Sequence, residues 1–269
     1  MTLKSSTDPS NIIPLTGNFP TLEQEAWKEL VHKVLKGTDF EKKMTSRTWD
    51  DLLLKPLYTK FDTLPHTKSA LPGEQPFTRG TKSTQSMKGW DIRQYYSGDD
   101  PQALNSAILE DLAGGVTSLS LSIGSQNTIS LGRGDLEKVL QGVLLEICPV
   151  AFNAGENTLA AAHEMIDIWK AQSIPENKRL AHFDADPLSQ LATLGYLNHP
   201  LKKAMEDALA LVELTKNLPG VTALTADGHT YHCGGATEAQ ELACVLSTVV
   251  SFLRAGEKVG LAANRIIPK

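Results

Sequence analysis

The stretch Asp227-Gly-His-Thr-Tyr-His-Cys puts a carboxylate, two imidazoles and a thiol into seven positions, and glycines follow at 234 and 235. As a metal centre it offers His229, His232 and Cys233, with Asp227 as a fourth donor. A strand continued past Asp227 opposes this, because alternation puts Asp227 and His229 on one face and His232 on the other. Common zinc signatures space their ligands so that a helix or knuckle turns them together. The position of the stretch carries a second reading. It follows VTALTAD and precedes a helical pattern, and in parallel α/β folds the loops after the strand ends form the active-site face. A structural role stands beside both, with strand-end hydrogen bonds and a turn at Gly234 and Gly235.

Other chemistry-bearing residues are fewer. Asp184 and Asp186 in HFDADP end a second strand on the same face, either as ligand carboxylates or as the cap of a helix at Leu188 and Ser189. Gly132-Arg-Gly134 lacks the Lys-Ser/Thr continuation of a phosphate loop, and no serine sits in a nucleophile elbow.

The elements that must hold these residues alternate. An amphipathic helix comes first, TLEQEAWKELVHKVLKG, with Thr21 and Gln24 spaced as a capping box and Gly37 placed to end it. A strand-like TSRTWDDLLLKPLY and a long connection rich in Pro and Gly follow. From Trp90 the chain reads as five strand-then-helix units. Their strand candidates are WDIRQYY, SLSLSI, CPVAFNAG, LAHFDAD and VTALTAD. Helix signals sit between them: Asp99-Asp100-Pro101 to Gly114-Gly115, with Leu104, Ala107, Ile108 and Leu112 on one face, DLEKVLQGVL, and NTLAAAHEMIDIWKAQ. A broken stretch ending in HPLKKAMEDALALVELTKN comes next. The last helix has Thr237 and Gln240 as a capping box and carries Leu242, Val245, Leu246, Val249 and Leu253. Such alternation predicts an α/β fold with a parallel sheet, either doubly wound or part of a (β/α)8 barrel.

Composition narrows the classes. The 269 residues carry a net charge of -5, without the clustered Lys and Arg of a nucleic-acid footprint. No apolar run approaches the ~18 residues of a membrane span. A polar N-terminus and three cysteines make a reducing cytoplasm the default location.

LPGEQPFTRG followed by GWDIRQYY resembles the entry segment of the methylmalonyl-CoA mutase family, Leu-Pro-Gly-x-x-Pro-Phe-x-Arg-Gly then Trp-x-Ile-Arg-Gln-Tyr. GGATEAQELACVLSTVVSFLRAGEKVGL resembles a later helix of the same family. The resemblance runs from about residue 20 to the end. It implies a (β/α)8 TIM-type barrel truncated after about five βα units, a helical arm over 1–60 and a partial barrel over 61–269. It also implies a CoA thioester threaded through the barrel, and adenosylcobalamin held by a separate domain, whose cobalt–carbon homolysis starts a radical 1,2-rearrangement between methylmalonyl-CoA and succinyl-CoA. Five of eight units leave a sheet edge open. Either the chain is naturally short, or it is part of a longer one, or self-association or a partner covers the gap.

The family contains catalytic large subunits and similar small subunits without the chemistry. Where the catalytic pattern has its Thr-Met-Tyr tyrosine, this sequence has Gln85, and its strand-end histidine falls on Thr230, between His229 and His232. Thr-Ile-Gln-Asn-Asp is replaced by HFDADPLSQ, while Arg93 and Gln94 match a pattern shared by both kinds of chain. The small-subunit pattern fits Thr225, Asp227, Tyr231, His232, Gly235 and Ala236, and KVLKGTDFEKKMTSRTWD reads like that subunit's opening. The implied protein is a non-catalytic small subunit, with no catalytic residue or metal of its own. Gln85, Arg93, Gln94, Asp227, His229 and His232 are remnants of the substrate pocket. The adenosylcobalamin belongs to the catalytic large subunit, the expected partner, and the arm and helix 21–36 are the expected interface. Two alternatives remain: an acyl-CoA-binding barrel that works with a separate cobalamin protein, and a metal-binding module at His229, His232 and Cys233. Asp227-x-His229-x-x also resembles the start of the Asp-x-His-x-x-Gly motif by which some cobalamin enzymes ligate cobalt, with His232 where that motif has Gly.

Overall fold

A computed structural model describes residues 23–62, 71–80, 83, 89–124, 128–132 and 134–267. The chain divides into two compact units, 1–68 and 69–269.

In the first unit, α1 (Gln24–Leu35) and α2 (Phe40–Met44) precede a small antiparallel hairpin of β1 (Ser46–Arg47) and β2 (Leu53–Leu54). The expected cap of α1 is only partly testable, since Thr21 lies outside the described residues. Glu23 occupies the N-cap with no side-chain bond, and Gln24 is the first helical residue. The helix ends one residue earlier than expected, at Lys36 in the left-handed region (φ 49°), and Gly37 follows it at φ 88°. Trp27 meets Phe40 edge-on at 6.3 Å, which joins the two helices, yet neither helix buries a residue. The strand-like TSRTWDDLLLKPLY yields only those two-residue strands.

The second unit alternates strand and helix. β3 (Arg93–Tyr96), α3 (Pro101–Gly114), β4 (Ser118–Ser122), α4 (Asp135–Val139), β5 (Val150–Asn153) and α5 (Thr158–Ala171) come first. β6 (Ala181–Ala185), α6 (Pro187–Leu194), α7 (Leu201–Leu214), β7 (Val221–Leu224), α8 (His229–Cys233), α9 (Glu238–Lys258) and α10 (Ala263–Ile266) complete it. All four strand pairings are parallel and the sheet order is β3-β4-β5-β6-β7. A doubly wound sheet reverses its order at a switch point. This sheet never reverses, so it is the barrel-type arrangement, opened after five strands.

Alternation assigns the two sheet faces. Leu119, Leu121, Phe152, Phe183, Val221 and Ala223 are buried with Ile108, Met165 and Trp169 of the helices. Phe152 and Phe183 stack at 5.2 Å across β5 and β6. The opposite, inner face is mostly polar: Arg93 and Tyr95 on β3, Ser118, Ser120 and Ser122 on β4, Ala151 and Asn153 on β5, His182 and Asp184 on β6, and Thr222 on β7.

Three expectations about helices are corrected. The helix expected over DLEKVLQGVL stops at Val139, because Gly142 turns the chain at φ 81°. On α3, Ala107 is exposed, and Asn105 takes a buried place instead, its Nδ2 donating to the carbonyls of Val139 (2.9 Å) and Gln141 (2.7 Å). On α9 the buried side is Thr248, Phe252 and Gly256, while Leu242, Leu246 and Val249 are exposed. Gly256 sets that rotation: a Cβ there would meet Ile266 of α10 and the Leu261 carbonyl. No helix among the described residues is long and apolar enough to cross a membrane.

Candidate functional site

The strand ends of β6 and β7 are fastened together by Asp186. Its Oδ1 caps α6, accepting from the backbone N–H groups of Leu188 (3.2 Å) and Ser189 (3.1 Å). Its Oδ2 accepts from Ser189 Oγ (2.6 Å) and from Asp227 N (2.9 Å), and Ser189 Oγ also meets the Asp227 carbonyl at 3.0 Å. Of the two readings of the Asp184–Asp186 pair, Asp186 is the cap. Asp184 sits at φ 50°, and its Oδ1 accepts from Thr225 Oγ1 at 3.0 Å. The second strand's carboxylates are therefore occupied in joining two loops.

The stretch 227–235 does not continue the strand. β7 ends at Leu224, and residues 229–233 wind into α8, so the alternate-face argument is replaced by helical geometry. Asp227 Oδ1 accepts from His229 N at 2.9 Å, and Gly235 makes the following turn at φ 89°. His229 and Cys233, four apart, share a face, with Sγ 3.4 Å from Nε2. His232 turns to α9, where its Nδ1 lies 3.2 Å from Glu241 Oε2. Thr230 turns to α6 and shares a hydrogen bond of 2.8 Å with Thr193 Oγ1. Of the expected donors, His229 and Cys233 thus face each other, while His232 turns away to Glu241 and Asp227 bonds the His229 backbone. Among the described residues no three His, Cys, Asp or Glu side chains converge as metal ligands.

Gln85 lies outside the described residues. Arg93 and Gln94, neighbours on β3, point to opposite faces. Arg93 Nε donates to Ser118 Oγ at 2.9 Å on the inner face, and Gln94 Nε2 reaches only the Tyr95 carbonyl at 3.4 Å. The structure therefore does not gather these two with the α8 residues into one cluster. It adds a residue that sequence reading passed over: His182, half-buried on the inner face, is held below the ordinary imidazole range by burial and then by the Arg93 charge, against the opposing pull of Asp184 and Asp91. Only its place at an alternate position of HFDAD hints at this. Thr193 and Glu241 had no signal, since they lie 37 and 9 residues from their partners.

His229 is exposed, with its ring beside Cys233 Sγ, and it lines neither the cavity of about 30 Å³ beside Gln190 and His199 nor the groove of about 330 Å³ beside Glu213 and Val259.

A sequentially ordered parallel sheet with polar strand-end loops defines a barrel-type α/β protein. The family described as Methylmalonyl-CoA mutase matches residues 47–269. A methylmalonyl-CoA mutase small subunit of Streptomyces virginiae is 36% identical over 265 residues, covering 96% of this chain and 42% of that protein. The small subunit of Propionibacterium freudenreichii subsp. shermanii is 31% identical, covering 94% and 40%. The mitochondrial methylmalonyl-CoA mutase of Homo sapiens is 25% identical, covering 90% and 35%. This chain belongs to the methylmalonyl-CoA mutase family, and it spans about two-fifths of the length of these small-subunit relatives.

Proposed function

We propose that this chain is the barrel part of an auxiliary, non-catalytic small subunit of a cobalamin-dependent mutase that interconverts methylmalonyl-CoA and succinyl-CoA, with the chemistry and the adenosylcobalamin belonging to a larger partner subunit. One observation carries the reading. Thr230, which the family pattern aligns with the catalytic histidine, is hydrogen-bonded to Thr193, and the histidines on either side turn to Cys233 and Glu241. The names of the two small-subunit relatives, matched over 96% and 94% of this chain, support the same reading.

The polar, hydroxyl-bearing inner face favours one second reading, an acyl-CoA-binding barrel. Light scattering of the chain alone, and mixed with the same organism's mutase large subunit, separates the two. A one-to-one complex, with activity only when the large subunit is present, is expected. Absence of a complex, with acyl-CoA bound by the chain alone, would replace the first reading with the second.

A further inference from the structure

The three cysteines stand in three different settings. Cys148 is buried, and burial, then the Asp91 charge, pushes its thiol up to about 11. Cys244 is half-buried on α9. Cys233 is exposed, and an imidazole stands beside it: Sγ lies 3.4 Å from His229 Nε2 and 3.8 Å from Nδ1.

Helical spacing brings the pair together, since residues four apart meet on one face. Contacts on the other sides of α8 fix its rotation. Asp227 Oδ1 accepts from His229 N at 2.9 Å, Thr230 Oγ1 meets Thr193 Oγ1 of α6 at 2.8 Å, and His232 Nδ1 lies 3.2 Å from Glu241 Oε2 of α9. The sides bearing residues 230 and 232 are thereby tied to neighbours, and the side bearing His229 and Cys233 is turned to solvent. The helix also follows the end of β7, on the face where barrel-type folds meet their ligands.

A thiol within reach of a base is a nucleophile in waiting, because the thiolate rather than the thiol attacks. Attack on a carbonyl is helped by preorganised oxyanion donors. Exchange with a disulfide needs only access to sulfur and a place for the proton. The exposed pair supplies both.

We propose that Cys233 and His229 form a thiol–disulfide exchange site, at which a small-molecule disulfide reversibly adds one half of itself to Cys233. The inference stands apart from the subunit reading and holds with or without a larger partner. In the step, His229 Nε2 takes the Cys233 thiol proton as Sγ attacks one sulfur of the disulfide. A new S–S bond forms to Sγ and the old one breaks. The departing thiolate leaves with the bonding pair and takes the proton from the imidazolium. Cys233 is oxidised and the departing half is reduced, so no further oxidant enters. Excess free thiol runs the same step backwards.

The test is incubation of the full chain with glutathione disulfide, followed by intact-mass and peptide mass spectrometry, for wild type, Cys233→Ser, Cys244→Ser and His229→Gln. The first adduct is expected on the peptide carrying Cys233, and reduced glutathione is expected to remove it. Cys233→Ser should lose this fast adduct and Cys244→Ser should keep it. His229→Gln is expected to react at least ~5-fold more slowly near pH 7, where an unassisted thiol is only a few per cent thiolate. That gap should close above about pH 9, where an ordinary thiol ionises unaided, a trend that a merely structural histidine would not give. Equal far-UV spectra and urea midpoints would show that these exposed substitutions leave the fold intact. If Cys244 or Cys148 takes the adduct first, or if His229→Gln reacts at the wild-type rate near pH 7, the proposal is overturned.

Discussion

Asp186 accepts four hydrogen bonds with two oxygens, and they reach from the first turn of α6 to the loop after β7. Asp186→Ala removes a cap and orphans Asp227 N. A loss of about 2–3 kcal/mol is expected, above the ~1 kcal/mol of a simple cap, and urea unfolding would measure it. His182 sets a pH dependence. Its folded form takes up a proton at lower pH than the unfolded chain does, because burial and then Arg93 disfavour the cation. Below about pH 6.5 the unfolded state therefore binds more protons, so stability is full above that pH and falls as pH drops through it, levelling once the folded imidazole is also protonated. The urea midpoint of His182→Gln, followed from about pH 7.5 to about 5, is expected to show a shallower fall than wild type. The cap at Asp186 was legible in the sequence because its signal is local, an Asp immediately before Pro187. The pairing of Thr230 with Thr193 was not, because nothing in either neighbourhood encodes a contact across 37 residues.

Among the elements, α9 shows how far local signals reach. Its start was legible to the residue. Thr237 Oγ1 accepts from Gln240 N at 3.3 Å, and Gln240 Oε1 accepts from Thr237 N at 3.0 Å. Thr237→Ala is expected to cost about 1 kcal/mol, read as a lower thermal midpoint with the fold unchanged. Its buried face was not legible, because residues of α7 and α10 decide which side is covered, and the small Gly256 rather than a large residue marks the close approach. α8 was misread for a related reason. A five-residue helix has no room for periodicity, and its residues suit a strand end equally well. α4 was read too long because a single glycine outweighs an apolar pattern when it takes positive φ.

At the scale of the molecule, alternation gave the five units, but periodicity could not choose between a doubly wound sheet and a barrel. The choice lies in strand order, a property of long-range pairing. The sequential order β3 to β7 leaves the backbone of β3 and of β7 each paired on one side among the described residues, and α9 presents Leu242, Leu246 and Val249 outward. The one-to-one complex expected in light scattering is the measurement that belongs at this scale. The inner sheet face, with serines on β4 and polar side chains on β3 and β6 in place of branched aliphatics, differs from the filled interior usual for such barrels.

Trp169 is wholly buried on α5, its indole N–H has no hydrogen-bond partner, and the Arg179 guanidinium lies 5.9 Å from the ring centroid. Trp49, by contrast, stands in water. An indole in so dry and apolar a site emits toward the blue, and a hydrated one toward the red. Trp90, 86% exposed, and the half-buried Trp27 add to the red side, so only the blue edge of the chain's emission belongs to a single residue, and its loss reports the melting of the sheet unit.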